Sequence, residues 1–472
     1  MAQLHDLTAL EQALAVRRGE VSPVELAEHY LDRISSGSVR LGAFVTVTAD
    51  AALIAAKAAE RLVAQRADLP PLHGVPIAIK DLNLTAGVRT SLGSRIYQEF
   101  VPAIDDDVVT RLAAAGTVSL GKTNTPEFGL PCYTEPDVAP PARTPWDLDR
   151  SAGGSSGGAA AAVAGGLLPF AQGSDGGGSI RIPASVCGLV GVKVSRGRVS
   201  NGPLSGDVNG LASNGPLART VADAAALLDA MAGPMPGDPY WAPPLAAGET
   251  FLGHARRAPG RLRIGRYRRP VLADAEVHPD CVAAYESASR LLADLGHEVV
   301  DTDPPFGPQL VPVFEVVWAV GAAGIPVDPP RERELRPLTR WLRERGRATT
   351  GPAFAAALTE MRQAARRAIE QSAGFDAVLT PTLAQPPARV GGLRDDDDPA
   401  ADFEAQKRFT PFTATYNVTG QPAISLPLHW TTGGLPIGVQ LVGRPADEAT
   451  LFSLAAQLEA ASPWLDRRPA GW

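Results

Sequence analysis

Residues 173–193 read GSDGGGSIRIPASVCGLVGVK. Three successive glycines, Gly176, Gly177 and Gly178, stand immediately before Ser179 and an apolar turn. Consecutive glycines let the backbone bend until several N–H groups face one space, which makes a nest for an anion. A serine at the edge of such a nest has an oxyanion site built beside it. Taken alone, the cluster reads equally well as a tight glycine turn without chemistry.

A second glycine cluster lies just upstream, SAGGSSGGAAAAVAGG at 151–166. Its composition is that of a flexible spacer. Gly153 and Gly158 have the spacing of a phosphate-binding loop, but Ala159 stands where that loop needs lysine. Neither cluster contains G-x-G-x-x-G. The pattern G-x-S-x-G occurs twice over 153–158, yet the preceding TPWDLDRSA is polar and supplies no buried strand for a nucleophile elbow.

A serine hydroxyl needs a base to become a nucleophile. None of the seven histidines sits in a motif that suggests pairing, which leaves a serine–lysine arrangement. Of the 44 basic residues only five are lysines: Lys57, Lys80, Lys122, Lys193 and Lys407. Arginine therefore carries most of the surface charge, and a lysine marks a candidate position where a proton must be released, which guanidinium does not do. Lys80 ends the apolar run HGVPIAIK, where desolvation lowers an amine's pKa. A solvated strand end is the plainer reading of that lysine.

The surrounding chain is that of a large α/β protein. It has 472 residues, 45% hydrophobic and 20% charged, with a net charge of −7. That balance leaves no basic footprint for nucleic acid; the arginines between Arg256 and Arg269 read as a solvated turn and strand edge. The three cysteines, Cys132, Cys187 and Cys281, are too few and scattered for a disulfide framework or zinc site and fit a reducing, cytoplasmic setting. The first 20 residues read as an amphipathic helix rather than a signal peptide. No apolar stretch is long enough to span a bilayer. SPVELAEHYLDRI carries a capping box at Ser22 and Glu25 with Pro23 at the first helical position. RLRIGRY and HEVVD frame a helix in a β-α-β pattern, and FDAVLTPT, QPAISLPL and PIGVQLVG return to strands late in the chain. Alternating strands and helices predict an α/β layered fold. The acidic run at 394–404 reads as a solvated loop.

Taken together, GVPIAIKDLN (74–83), GKTNTPEFG (121–129), GGSSGGAAAAVA (153–164) and GSDGGGSIRIPASVCGLVGVK (173–193) resemble the amidase signature family of serine hydrolases. DAVLTPT (376–382) and TGQPAISLPL…GLPIGVQLVG (419–443) extend the resemblance to the whole chain. It implies one amidase domain with a central mixed β-sheet covered by helices on both faces and a smaller helical cap. The expected parts are a helical N-terminus (1–67), a signature core (68–235), a variable cap or insertion (236–373) and a return to the core (374–472).

The resemblance also implies roles. Ser179 is the acylated nucleophile, Ser155 a bridging serine preceded by a cis peptide bond, and Lys80 the base. Backbone N–H groups of Gly176, Gly177, Gly178 and Ser179 form the oxyanion hole, and Asp175 and Arg181 shape the turn. Gly176 replaces a side chain the family often carries, and Ala159 a common serine. Ile182 stands where the glutaminyl-tRNA amidotransferase A subunit has glutamine. That argues against this subunit role and toward the branch of aryl acylamidases, nylon-oligomer hydrolases and urethane-cleaving amidases. An α/β-hydrolase-like esterase is the remaining alternative.

GLPCYTEP (129–136) and FEVVWAVGAAGIP (314–326) supply the candidate pocket residues Leu130, Cys132, Tyr133 and Trp318. No metal or organic cofactor is implied. The expected partner is a small amide or carbamate, with neither nucleic acid nor membrane, and a homodimer is a candidate assembly.

Overall fold

The computed structural model describes residues 3–65, 68–205 and 208–472. Among the described residues eleven strands alternate with helices: β1 (Phe44–Val47), β2 (Pro76–Lys80), β3 (Val118–Thr123), β4 (Phe170–Asp175), β5 (Val190–Lys193), β6 (Ser213–Ala218), β7 (Arg263–Arg266), β8 (Glu298–Asp301), β9 (Ala377–Pro381), β10 (Ala423–Trp430) and β11 (Pro436–Gly443). Eight of them form a mixed sheet in the order β4-β6-β5-β10-β11-β9-β7-β8. The pairs from β4 to β9 are antiparallel, whereas β7 pairs in parallel with β9 and β8.

Strand side chains alternate between faces, and the cores follow that alternation. Phe170, Ala377, Leu379, Val439 and Leu441 join one cluster with the helices Val221–Met231, Pro279–Asp294 and Glu448–Ala461. Val378, Ala423 and Val442 face the opposite cluster, under the helices Leu310–Ala323 and Gly351–Ser372. Helices therefore cover both faces, and the fold is α/β.

The eight-stranded sheet is the expected central mixed sheet, and three features add to the sequence expectation. β1, β3 and β2 form a further three-stranded sheet beside β4. The expected helical N-terminus contains β1, which pairs antiparallel with β3, and its boundary at residue 67 lies outside the described residues. The region 236–373 is divided. Its first half adds β7, a helix and β8 to the large sheet, and only the helices Leu310–Ala323, Pro337–Ala348 and Gly351–Ser372 stand as a cap. Among the described residues no helix is long and apolar enough to cross a membrane.

The glycine- and alanine-rich stretch becomes the helix Gly157–Ala164, every residue of which is buried. Only small side chains fit there: a Cβ on Gly158 would press into the backbone of Asn124 and Ala43. The composition that suggests a spacer thus serves close packing.

Candidate active site

Three elements converge. β2 ends at Lys80, the turn before the helix Gly157–Ala164 carries Ser155, and the turn between β4 and the helix Arg181–Cys187 carries Ser179. Lys80 is fully buried; its Nζ lies 2.8 Å from Ser155 Oγ and donates to Ser174 Oγ at 3.1 Å and to the Ser174 carbonyl at 3.2 Å. Burial lowers the pKa of Lys80 to about 7, although the charge of Asp175 opposes the shift. An amine in that range is substantially neutral at neutral pH and can accept a proton.

The peptide bond Gly154–Ser155 is cis. Gly154 lies against the backbone of Cys132 and Tyr133, where a Cβ would not fit. Of the two adjacent serines, Ser155 meets the lysine. Ser156 instead holds β4, its Oγ donating to the Ser174 carbonyl at 3.2 Å and accepting from the Ser174 N–H at 3.3 Å. The Ser156 N–H donates to the Ser179 carbonyl at 3.0 Å, which ties the two serine turns together.

The nest is shaped from behind by a buried ion pair. Asp175 and Arg181 are both fully enclosed and 2.9 Å apart. Burial alone would raise the Asp175 pKa, but the charge and hydrogen bonds of Arg181 hold it well below the usual carboxylate range. Arg181 also donates to the Thr413 carbonyl, Gln440 Oε1 and Asn417 Oδ1. Asn417 Nδ2 returns to the carbonyl and carboxylate of Asp175, both at 2.9 Å.

Asp175 Oδ1 accepts the N–H of Gly178 at 2.7 Å, and Oδ2 accepts that of Ile180 at 3.1 Å. Gly178 is therefore not free to bind an oxyanion, a correction to the four-donor expectation. Among the described residues no hydrogen bond engages the N–H groups of Gly176, Gly177 and Ser179.

Ser179 opens on a small, mainly apolar cavity. Leu130, Cys132 and Trp318 line it, together with Ile182, Leu272, Phe314, Phe403, Gln406, Lys407 and Thr410. Phe314 and Trp318 stack at 5.5 Å, with 20° between their planes, and bring the cap helix over Gly176. Burial pushes the Cys132 thiol well above its ordinary pKa, so it is not a competing thiolate.

Tyr133 does not line this cavity. It is buried behind the wall, its hydroxyl donating to Asp402 Oδ2 at 2.5 Å. Gln406 continues the wall, donating to Asp402 Oδ1 at 2.6 Å and accepting the Cys132 N–H at 2.8 Å.

Residues 25–452 match the family model described as Amidase. The chain belongs to the Amidase family. It is 38% identical to the 6-aminohexanoate-cyclic-dimer hydrolase of Pseudomonas sp. (strain NK87), over 98% of this chain and 96% of that protein. It is 41% identical to a putative amidase of Mycobacterium tuberculosis, AmiB2, over 98% and 97% of the two chains. A solved 6-aminohexanoate cyclic dimer hydrolase superposes with a TM-score of 0.91 at 35% identity, covering 99% of each chain. A bacterial aryl acylamidase of the amidase signature family superposes at 0.88 with 27% identity, covering 98% of each chain. This amidase-family chain is thus a hydrolase of amide C–N bonds.

Several residues at the site escape the sequence reading. Ser174 shares a strand face with Phe170 and Gln172, so alternation along β4 could have aimed it at Lys80. Asn417 and Thr413 come from 236 to 242 residues away in the chain, and no local signal marks them. Among the described residues no His/Cys/Asp/Glu cluster could hold a metal ion. The acidic run caps and pairs: Asp398 caps the helix Pro399–Phe409, and Asp396 pairs with Arg336 and Arg394. Arg263, Arg266 and Arg269 of the arginine-rich stretch pair with Glu298, Asp301 and Asp303.

Proposed function

We propose that this chain cleaves small amides, anilides and carbamates through a Ser179–Ser155–Lys80 relay and an acyl-enzyme. The observation that carries the reading is the 2.8 Å contact between Lys80 Nζ and Ser155 Oγ, made by a lysine whose pKa burial brings to about 7.

Neutral Lys80 takes the proton of Ser155, and Ser155 takes that of Ser179 as Ser179 Oγ attacks the substrate carbonyl carbon. The resulting oxyanion is met by the N–H groups of Gly176, Gly177 and Ser179. One such donor is worth ~3–4 kcal/mol in a hydrolase. The relay then returns a proton to the leaving nitrogen as the C–N bond breaks. Water enters by the reverse path, attacks the Ser179 ester and releases the acid. Asp175 and Arg181 hold the turn without exchanging protons. The apolar lining favours an uncharged acyl group, and the likeness to cyclic-dimer hydrolases and an aryl acylamidase supports small, compact amides.

The test is 4-nitroaniline release from an acyl anilide and the matching carbamate, with Ser179→Ala as control. Release by the parent alone, with an acyl adduct on Ser179 seen by mass spectrometry, is the expected result. Equal release by the variant would overturn the assignment of Ser179.

A further inference from the structure

Lys80 is held at both ends by one strand. Its Nζ meets Ser174, and its backbone N–H donates to the side-chain carbonyl of Gln172 at 2.8 Å. Gln172 and Ser174 are two residues apart on β4 and so share a face, while Asp175 points the other way to Arg181. Lys80 is the last residue of β2, where the three-stranded sheet abuts β4 without joining the large sheet's strand order. The amide of Gln172 stands in for the missing strand pairing at the residue that carries the amine.

Gln172 is wholly buried and fully engaged. The two N–H groups of its Nε2 are shared among Asn83 Oδ1 at 2.9 Å, Asn214 Oδ1 at 2.8 Å and the Gly173 carbonyl at 3.0 Å. The Asn83 N–H in turn donates to the Lys80 carbonyl at 3.0 Å. One side chain therefore grips both the entry and the exit of the turn that begins at Lys80. A glutamine enclosed this completely needs all its partners, because a buried polar group left unpaired is costly.

We propose that Gln172 is a positioning residue for the reaction, fixing the backbone of Lys80 so that its amine reaches Ser155. The inference rests on the reading of Lys80 as the base. It assigns to Gln172 the reach of that amine, a function separate from general packing. Small displacements of a reacting group carry large rate penalties. Losing the Gln172 carbonyl therefore lowers kcat and alters the acid limb that reports Lys80, while the substrate pocket, which Gln172 does not line, keeps its KM.

The experiment compares Gln172→Met, Gln172→Glu and Lys80→Ala in the full chain, with melting temperature as the check on folding. Kinetics on the acyl anilide are taken from pH 5.5 to 9.5. Gln172→Met is expected to lose about tenfold in kcat, with KM within twofold and a displaced acid limb. Gln172→Glu keeps an acceptor for the Lys80 N–H and, with the Asn83 and Asn214 amides turned so that their NH2 groups meet the carboxylate, its alkaline plateau recovers to within about threefold of the parent. Any carboxylate charge beside the lysine moves the acid limb toward higher pH.

A folded Gln172→Met with the parent's kcat and pH profile overturns the proposal. So does a folded Gln172→Glu whose plateau stays tenfold or more below the parent, and that arm decides the matter where Gln172→Met does not fold. Retained activity in Lys80→Ala would instead remove the reading of Lys80 as the base, so the two failures are told apart.

Discussion

Lys80 Nζ lies 2.8 Å from Ser155 Oγ, and Asp175, a carboxylate whose charge acts on that amine, is bound to Arg181. The site thus keeps a lysine enclosed among hydroxyls and a carbonyl, none of which stabilises an ammonium as an ion pair would. Burial then favours the neutral amine, the form a proton relay needs.

The first prediction concerns rate against pH. With Lys80 near 7, about a tenth of the enzyme is in the neutral form at pH 6 and nearly all of it by pH 8 to 9. The acylation rate should climb through pH 7 to a plateau rather than keep rising toward the pKa of a free lysine. Lys80→Met should lose ~10²–10⁴ in rate, and Lys80→Arg should do no better, because guanidinium stays charged. Single-turnover acylation from pH 5.5 to 9.5 measures this. A flat profile would remove Lys80 from the role.

The second concerns stability. Lys193 on β5 is enclosed, donates to the Val194 carbonyl at 2.7 Å, and is lowered to about 7 by burial and by the charge of Arg181. In the unfolded chain the same amine titrates near ~10.4. Between pH 7 and 9 the unfolded chain holds a proton there that the folded chain has released, so this lysine makes stability rise with pH. Its share across that window is about 2 kcal/mol. Urea midpoints at pH 7 and pH 9 should show Lys193→Met losing that part of the parent's slope. An unchanged slope would mean that Lys193 is not neutral in the fold.

The proposed relay residues are singled out by the family resemblance, because the local patterns, an apolar run ending in lysine and serines set among glycines, by themselves leave a solvated strand end, a spacer and a plain turn open. What the sequence leaves out comes from long range or from irregular chain. Thr413 and Asn417 reach the nest from the far end of the protein, and nothing near either residue marks it. Tyr133 follows two true lining residues, Leu130 and Cys132, but segment 130–136 is neither helix nor strand. It has no period to say which side chains face the cavity, so proximity in sequence misplaces it. The β-α-β pattern of 263–301 is visible, yet the proline-rich stretch before it suggests a cap boundary. Composition marks an excursion of the chain, not the edge of a sheet. The split into two sheets is invisible for a related reason, since alternation assigns faces and leaves strand partners open.

The third prediction separates two neighbouring glycines. Gly178 has φ +133°, and a Cβ there would run into Thr413 Oγ1 and come within 2.7 Å of Ile182 Cδ1. Gly176 has no such backbone demand, and its added Cβ would make ordinary contact with Trp318 at 3.6 Å. Gly178→Ala should therefore distort the nest and cost at least ~1–3 kcal/mol from the backbone alone, with kcat down tenfold or more. Gly176→Ala should fold normally and stay within a few-fold in kcat, because its N–H remains. Melting temperatures and kcat for the pair decide it. Equal damage at both positions would show that the nest tolerates neither and that steric fit at Gly178 is not the cause.

The fourth concerns the wall that the cap supplies. Trp318 is half-buried, stacks on Phe314 and lies over Gly176, with its ring on the cavity and no bond to Lys80 or Ser155. A residue so placed is expected to act on binding of the acyl group rather than on proton transfer. An aromatic contact of this kind contributes about 0.5–1.5 kcal/mol beyond the area it buries. Trp318→Ala should accordingly raise KM for an aromatic anilide by roughly tenfold while kcat changes little, the pattern left when binding is lost equally from ground and transition states. A short aliphatic anilide, which cannot cover the indole face, should lose much less. Comparing the two substrates on the parent and the variant measures the difference. A fall in kcat of the same size for both would mean that the cap shapes the nest at Gly176, and that Trp318 does not select the acyl group.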